Sequence, residues 1–235
     1  MRLLLIRHGQ TPNNVDGVLD TGEPGAALTT LGEAQAAAIP SALADESIAG
    51  IHVSRLLRTH LTAAPLAEAT GLTPQIHPGL REILAGDYDL RDDEEAAFGY
   101  REAGRRWVRG DTGHAVPGGE DGHAFLRRYD DAIGEVVAAH DADATAAIVS
   151  HGAAIRVWAT LATGLDPEEL DARRLGNTGM VVVEGDPDAG WRLLDWRIEP
   201  IGGTVLTGDA SHDVTANPSA TAGEHDHPHA AADAR

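Results

Sequence analysis

The chain has 235 residues, 42% apolar and 4% aromatic, enough for one sizeable core built from Ala, Leu, Val and Ile. Against 37 acidic residues stand 18 basic ones, all arginine, and the formal charge of −19 argues against nucleic acid or an anionic membrane as a partner. With no cysteine, disulfides, thiolate metal sites and a cysteine nucleophile are excluded.

In chain order, residues 2–7 are expected to form a buried strand that delivers Arg7 and His8 onto a turn at Gly9. Polar side chains at the end of a buried strand are costly unless a ligand meets them. A rigid guanidinium suits phosphate oxygens, and a neutral imidazole beside it is a competent nucleophile. The expectation is phosphoryl transfer with His8 attacking phosphorus, and with Gly9 keeping side chains clear of the ligand. The apolar run Leu3–Ile6 is too short for a signal-peptide core or a membrane span, so the cytoplasm is the expected location.

A loop to about Ala27 follows, then a helix capped by Thr30 with Glu33 as its box partner, which Pro40 should kink or split. Residues 50–54 read as a second strand, placing Arg58 on the first turn of a helix to about Thr70, where the helix dipole also favours an anion. Residues 74–77 make a short third strand; His52, His60 and His77 show no partner pattern and are expected at the surface or internally satisfied. Residues 86–119 read as an insertion over the pocket, with Arg101, Arg105 and Arg109 on one helical face. That face either recognises a second anionic group or is a solvated face paired with residues 92–95.

An amphipathic helix over 120–139 leads to a strand ending at His151-Gly152, and a helix over 152–161 starts at the same place. Two strands ending in His-Gly place both imidazoles at the carboxyl edge of a parallel sheet, where open α/β sheets bind ligands. Residues 178–184 and 191–197 are two closing strands. From Gly202 large apolar residues nearly vanish, so 202–235 is expected to be a disordered tail; its alternating histidines at 225–229 either bind Zn²⁺ or Ni²⁺ weakly or are simply solvated.

Residues 1–198 resemble the histidine phosphatase superfamily, also called phosphoglycerate mutase-like, branch 1. The resemblance rests on six segments in order: Leu5–Thr11 with Asn14, Leu28–Ala36, Val53–Ala63, Leu80-Arg81-Glu82 with Gly86-Asp87-Tyr88, Pro117–Glu120 and Val149–Gly152. It implies a three-layer α/β/α sandwich with a mostly parallel central sheet and a small helical lid insertion (86–119) in a catalytic domain spanning 1–201. It further implies that His8 forms a phosphohistidine and that Arg7, Arg58 and His151 clamp the phosphoryl group. Asn14 would assist through its amide, with Gln10, Thr11 and Gly152 further substrate-binding positions. Glu82 would be the general acid and then the base, with Asp87, Glu102 and Glu120 as other candidates nearby. A raised pKa, from burial or from the substrate's own charge, is what that role requires.

Gln10 stands where glutamate is commonest, Asn13 replaces a frequent aromatic, Arg55 a proline, Leu61 a glutamine and Asp121 a serine. These departures bear on substrate preference rather than on reaction class. The expected function is a phosphomonoesterase acting on a small phosphorylated metabolite. A cofactor-dependent phosphoglycerate mutase is the alternative, disfavoured by the short stretch between Glu82 and Pro117; a non-catalytic phosphoryl-binding protein is a third, which predicts a missing site residue where none is missing. No cofactor or metal is called for, and the oligomeric state, a homodimer among the options, is not legible.

Overall fold

The computed structural model describes residues 1–208 and 212–215. Six strands form one sheet in the order β3-β2-β4-β1-β5-β6, namely Gln75–Ile76, Ile48–Val53, Thr145–Ser150, Arg2–Arg7, Met180–Asp186 and Gly190–Arg197. The first four are parallel; β5 adds antiparallel to β1, and β6 antiparallel to β5. The α/β class and the mostly parallel sheet agree with the sequence reading.

Strand periodicity divides the core in two. Leu3, Leu5, Ile148, Val181 and Val183 face a cluster completed by α4 (Glu94–Val108), α5 (Gly122–Ala138) and α6 (Gly152–Ala162). Leu4, Ile6, Val149, Met180 and Val182 face the other side, against α2 (Thr30–Ala42) and α3 (Leu57–Thr70). Both faces of the central strands are therefore buried, which is why β1 and β4 read as unbroken apolar runs.

Several local details differ from expectation. Helix α2 is capped by Thr29, whose side chain accepts from Gly32 N–H, and Pro40 sits in its last turn without splitting it. The loop after Thr11 holds a short helix α1 (Pro12–Asp16), closed by a reciprocal box in which Thr11 caps the Asn14 amide and the Asn14 side chain caps Thr11. Glycine is needed at position 9 because a Cβ there would lie 2.7 Å from the Gly32 carbonyl, a close approach to α2.

The boundary of the tail also moves. Thr204–Leu206 form a 3-10 turn, and Asp213 and Val214 are buried. The segment is held by the Arg7–Asp213 ion pair, by hydrogen bonds from Arg7 and Arg156 to Thr215, and by Val214 in the core. The remaining tail, including the histidines at 225–229, lies outside the described residues. No helix among the described residues is long and apolar enough to cross a membrane.

Candidate active site

Strands β1 and β4 run parallel in register, Arg7 opposite Ser150, and the His8 amide donates to the Ser150 carbonyl at 3.0 Å. Both strands end on a histidine at the same edge, so the His8 and His151 rings stand 5.3 Å apart at 58°. His8 is buried, and its Nδ1 lies 2.8 Å from its neighbour's carbonyl, Gly9 O. A carbonyl only accepts, so Nδ1 carries the proton and Nε2 keeps its lone pair. Burial, followed by the positive charges of Arg58 and Arg7, holds the His8 pKa well below its ordinary value. The ring is therefore neutral.

His151 is the N-cap of α6, fully buried, with Nε2 2.8 Å from Ser54 Oγ. Burial and then the charge of Arg58 lower its pKa as well. Arg7 donates through Nη1 to Leu175 O (3.0 Å) and through Nη2 to Asp213 Oδ2 (2.6 Å) and Thr215 Oγ1 (2.9 Å). Arg58, in the first turn of α3 as expected, donates to Asp20 O at 2.8 Å and to Asp20 Oδ2 at 3.4 Å. Three buried nitrogens of these side chains have no hydrogen-bond partner among the described residues: Arg7 Nε, Arg58 Nε and His151 Nδ1. Buried polar groups are seldom left so.

Glu82 is buried at the start of α6. Its Oε1 accepts from Ala154 N–H (2.8 Å) and Ile83 N–H (2.9 Å), and its Oε2 from Ala153 N–H (3.1 Å). Burial raises its pKa, with those three N–H groups and Arg58 pulling the other way. The other acid candidates lie elsewhere: Glu120 is bridged at two points by Arg128, Glu102 pairs with Arg106, and Asp87 lies against the Gly118 turn.

One cleft, with about 340 Å³ of empty space, is lined by His8, Thr11, Asn14, Asp20, Arg58, Glu82 and residues 213–215. Asn14 Oδ1 is held by Thr11 N–H (3.0 Å) and Asn177 Nδ2 (3.1 Å), which leaves its amide nitrogen as the remaining donor. Gly152 is the first residue of α6, and a Cβ there would lie 3.0 Å from Arg7 Nε and 2.9 Å from Thr215 O.

Gln10 is not brought to the cleft. Its side-chain oxygen accepts from Thr29 Oγ1 at 2.9 Å and its backbone binds Gln35 and Thr29, so it fastens the start of α2. Its place in the opening motif made it look like a site residue. Conversely, the sequence reading missed Asp20, Asn177 and Asp213; no local pattern marks them, because each reaches the site from a distant loop.

Two arginines of the stripe are engaged by α7 (Glu169–Ala172) and the residue before it: Arg105 meets Asp171 at 2.9 Å and Arg109 meets Glu168 at 3.1 Å. Among the described residues, no group of three or more His, Asp or Glu side chains is disposed to hold a metal ion.

The fold and site define an α/β protein whose sheet edge gathers two histidines, two arginines and a buried glutamate. The histidine phosphatase superfamily (branch 1) matches over residues 3–199, and the chain belongs to it. A PE-PGRS family protein of Mycobacterium tuberculosis, PE_PGRS11, is 38% identical over 218 residues; the match takes in 86% of this chain but only 37% of that longer protein. A probable phosphoglycerate mutase of Yersinia enterocolitica is 29% identical over 87% of this chain and 94% of its own.

Among solved structures, a mycobacterial glucosyl-3-phosphoglycerate phosphatase complexed with VO3 superposes with a TM-score of 0.70 at 28% identity, covering 84% of this chain and 99% of the other. The alpha-ribazole phosphatase of Shigella flexneri superposes at 0.66 and 27% identity, covering 85% and 97%.

Proposed function

We propose that the chain is a phosphomonoesterase that hydrolyses a small phosphorylated metabolite through a phosphohistidine on His8. The observation that carries this reading is the set of three buried donors without partners, Arg7 Nε, Arg58 Nε and His151 Nδ1, beside a neutral imidazole. A phosphoryl group in transfer spreads charge over its equatorial oxygens, and fixed donors aimed there stabilise it most. The similarity to two proteins named as phosphatases supports hydrolysis over transfer.

In this scheme His8 Nε2 attacks phosphorus and the ester oxygen leaves with the proton of Glu82. Water then gives a proton back to Glu82 and attacks phosphorus, breaking the P–Nε2 bond and releasing phosphate. Ser54 donating to His151 Nε2 makes Nδ1–H the free donor toward the phosphoryl oxygens. Burial of Glu82 favours its protonated form, which an incoming phosphate dianion would favour further.

A panel of phosphorylated metabolites, with and without chelator, tests the reading. Wild type should release phosphate in both conditions, and His8→Ala should lose nearly all turnover. Phosphate release undiminished in His8→Ala would reassign the nucleophile. Transfer to a second position of 3-phosphoglycerate in excess of release would replace the reading with a mutase.

A further inference from the structure

The geometry points to Arg128 as the residue that positions the proton donor: from α5 its guanidinium fixes the backbone of Glu82 without reaching the cleft. This rests on the phosphomonoesterase reading, in which Glu82 protonates the leaving oxygen, and adds a positioning residue to it.

The segment that carries Glu82 has no strand or helix of its own: residues 81–85 run between two 3-10 turns, Pro78–Leu80 and Gly86–Tyr88. Its carbonyl groups are bound by side chains, one after another. Gly79 O (2.6 Å) and Arg81 O (2.9 Å) accept from Arg128 Nη1, and Glu82 O (2.9 Å) accepts from Arg128 Nη2. Leu80 O accepts from Ser150 Oγ at 2.8 Å, and Ile83 O from the Tyr100 hydroxyl at 3.0 Å. Three of these five consecutive carbonyls are therefore held by one arginine.

The rest of the guanidinium is equally committed. Nε and Nη2 donate to the two oxygens of Glu120 at 2.8 and 2.6 Å, so all five N–H groups of Arg128 are engaged. Glu120 in turn accepts from Leu84 N–H at 2.9 Å, on the far side of Glu82. The Phe125 ring lies 5.0 Å from the guanidinium centre, and a Cβ at Gly79 would collide with the Arg128 carbonyl, so α5 and the segment are in direct contact. A planar fork with every donor engaged holds its partners in one geometry, which an ammonium on a flexible stem does not. Arg128 itself does not line the catalytic cleft.

Glu82 is thus anchored at both ends. The N–H groups of α6 hold its carboxyl oxygens, and Arg128 holds its backbone carbonyl. Without the second anchor the carboxyl group still meets α6, but its backbone no longer sits at one distance from His8. A misplacement of about 1 Å costs on the order of 10²-fold in rate.

Phenyl phosphate and 2,4-dinitrophenyl phosphate separate positioning from a general loss of structure. A departing phenolate needs the Glu82 proton as its P–O bond breaks, whereas dinitrophenolate is stable enough to leave without it. Arg128→Lys keeps a positive charge against Glu120 but loses the fork; its kcat/KM for phenyl phosphate should fall about 10²-fold, and that for the dinitrophenyl ester far less. The pair Arg128→Met/Glu120→Gln, which leaves no unpaired buried charge, should show the same selectivity. Equal losses on both esters, or no loss in either variant, would overturn the inference and reduce Arg128 to a structural clamp. Glu82→Gln run alongside should be at least as selective between the esters. If it shows no selectivity, Glu82 is not the proton donor, and the scheme on His8 and Glu82 fails together with the inference.

Discussion

His52 offers a stability prediction that can be worked from the structure. It is fully buried on β2, with Nδ1 3.0 Å from His77 Nε2 and Nε2 3.0 Å from His140 Nε2, while His77 Nδ1 reaches Glu135 Oε2 at 2.9 Å. The Glu135 carboxylate only accepts, so His77 Nδ1 donates to it, His52 Nδ1 donates to His77 Nε2, and a neutral His52 accepts from His140 through Nε2. Burial first, then the proximity of His77 and His140, pulls the His52 pKa from 6.5 down to about 3. The unfolded chain therefore takes up a proton near 6.5 that the folded chain refuses until about pH 3. Because the unfolded state binds more protons in that window, stability is full above 6.5 and falls as the pH drops. At about pH 4.5, two units below the unfolded value, the loss is about 2.7 kcal/mol at about 1.36 kcal/mol per unit; relaxation and water entry make this an upper bound. Urea unfolding of wild type and His52→Gln near pH 7 and near pH 4.5 isolates the effect, since other acid-sensitive groups cancel in the difference. The variant should lose about 2 kcal/mol less than wild type over that interval. Equal losses would mean that His52 is not held neutral, and the reasoning would fail.

Three further outcomes follow from the site. Glu82→Gln should lower kcat by about 10²–10⁴-fold, as expected for a lost proton donor. Wild-type activity should decline on the alkaline side as the raised Glu82 carboxyl ionises, and a pH profile of the variant that keeps this limb would exclude Glu82. Asp213→Ala leaves the buried Arg7 guanidinium without its carboxylate and should destabilise the fold by up to about 3–5 kcal/mol. Inorganic phosphate should recover part of that loss in urea melts, and a variant as stable as wild type would mean that the Arg7–Asp213 pair contributes nothing. Gly152→Ala brings a methyl to 3.0 Å from Arg7 Nε and 2.9 Å from Thr215 O, so KM for any phosphate ester should rise; an unchanged KM would mean Arg7 does not meet the phosphoryl group.

What could be read in the sequence was what local pattern dictates. β1 and β4 were legible because both faces of each are buried and their apolar runs end abruptly on His8 and His151. Arg58 was legible because a strand, a short turn and a helix start leave little freedom in where it lies. The strands at 178–184 and 191–197 were found, but their antiparallel sense depends on tertiary pairing. Helix α1 was missed because its box partner is Asn14 rather than the usual Glu or Gln, and the helix has only five residues. Asp213 was placed with the tail because composition counts large apolar residues, whereas that segment is fastened mainly by polar contacts, an ion pair and a hydrogen bond to Arg7 and one to Arg156, with Val214 alone in the core. The histidine chain was invisible since residues 52, 77 and 140 meet only when β2, the turn after β3 and the end of α5 are assembled. Gln10 shows the opposite case: close to His8 in sequence, it turns to α2 rather than into the cleft.

The start of α6 accounts for why so many of these residues act as one unit. His151 caps that helix, Gly152 clears space for Arg7 Nε, and the backbone N–H groups of Ala153 and Ala154 hold both oxygens of Glu82. The N–H groups at this helix start are taken up by the glutamate. That use has a consequence for chemistry. A carboxyl group left free in a cleft of this size would sample several rotamers and lose part of its proton-transfer rate to misalignment. Fixed to the same turn that carries His151, Glu82 keeps its position relative to His8 across the β1–β4 pair, so in the proposed mechanism donor, clamp and nucleophile would share one rigid frame. Burial raises the Glu82 pKa while the helix N–H groups and Arg58 pull it down, and in the proposed mechanism that opposition would suit a group that gives a proton up and takes it back.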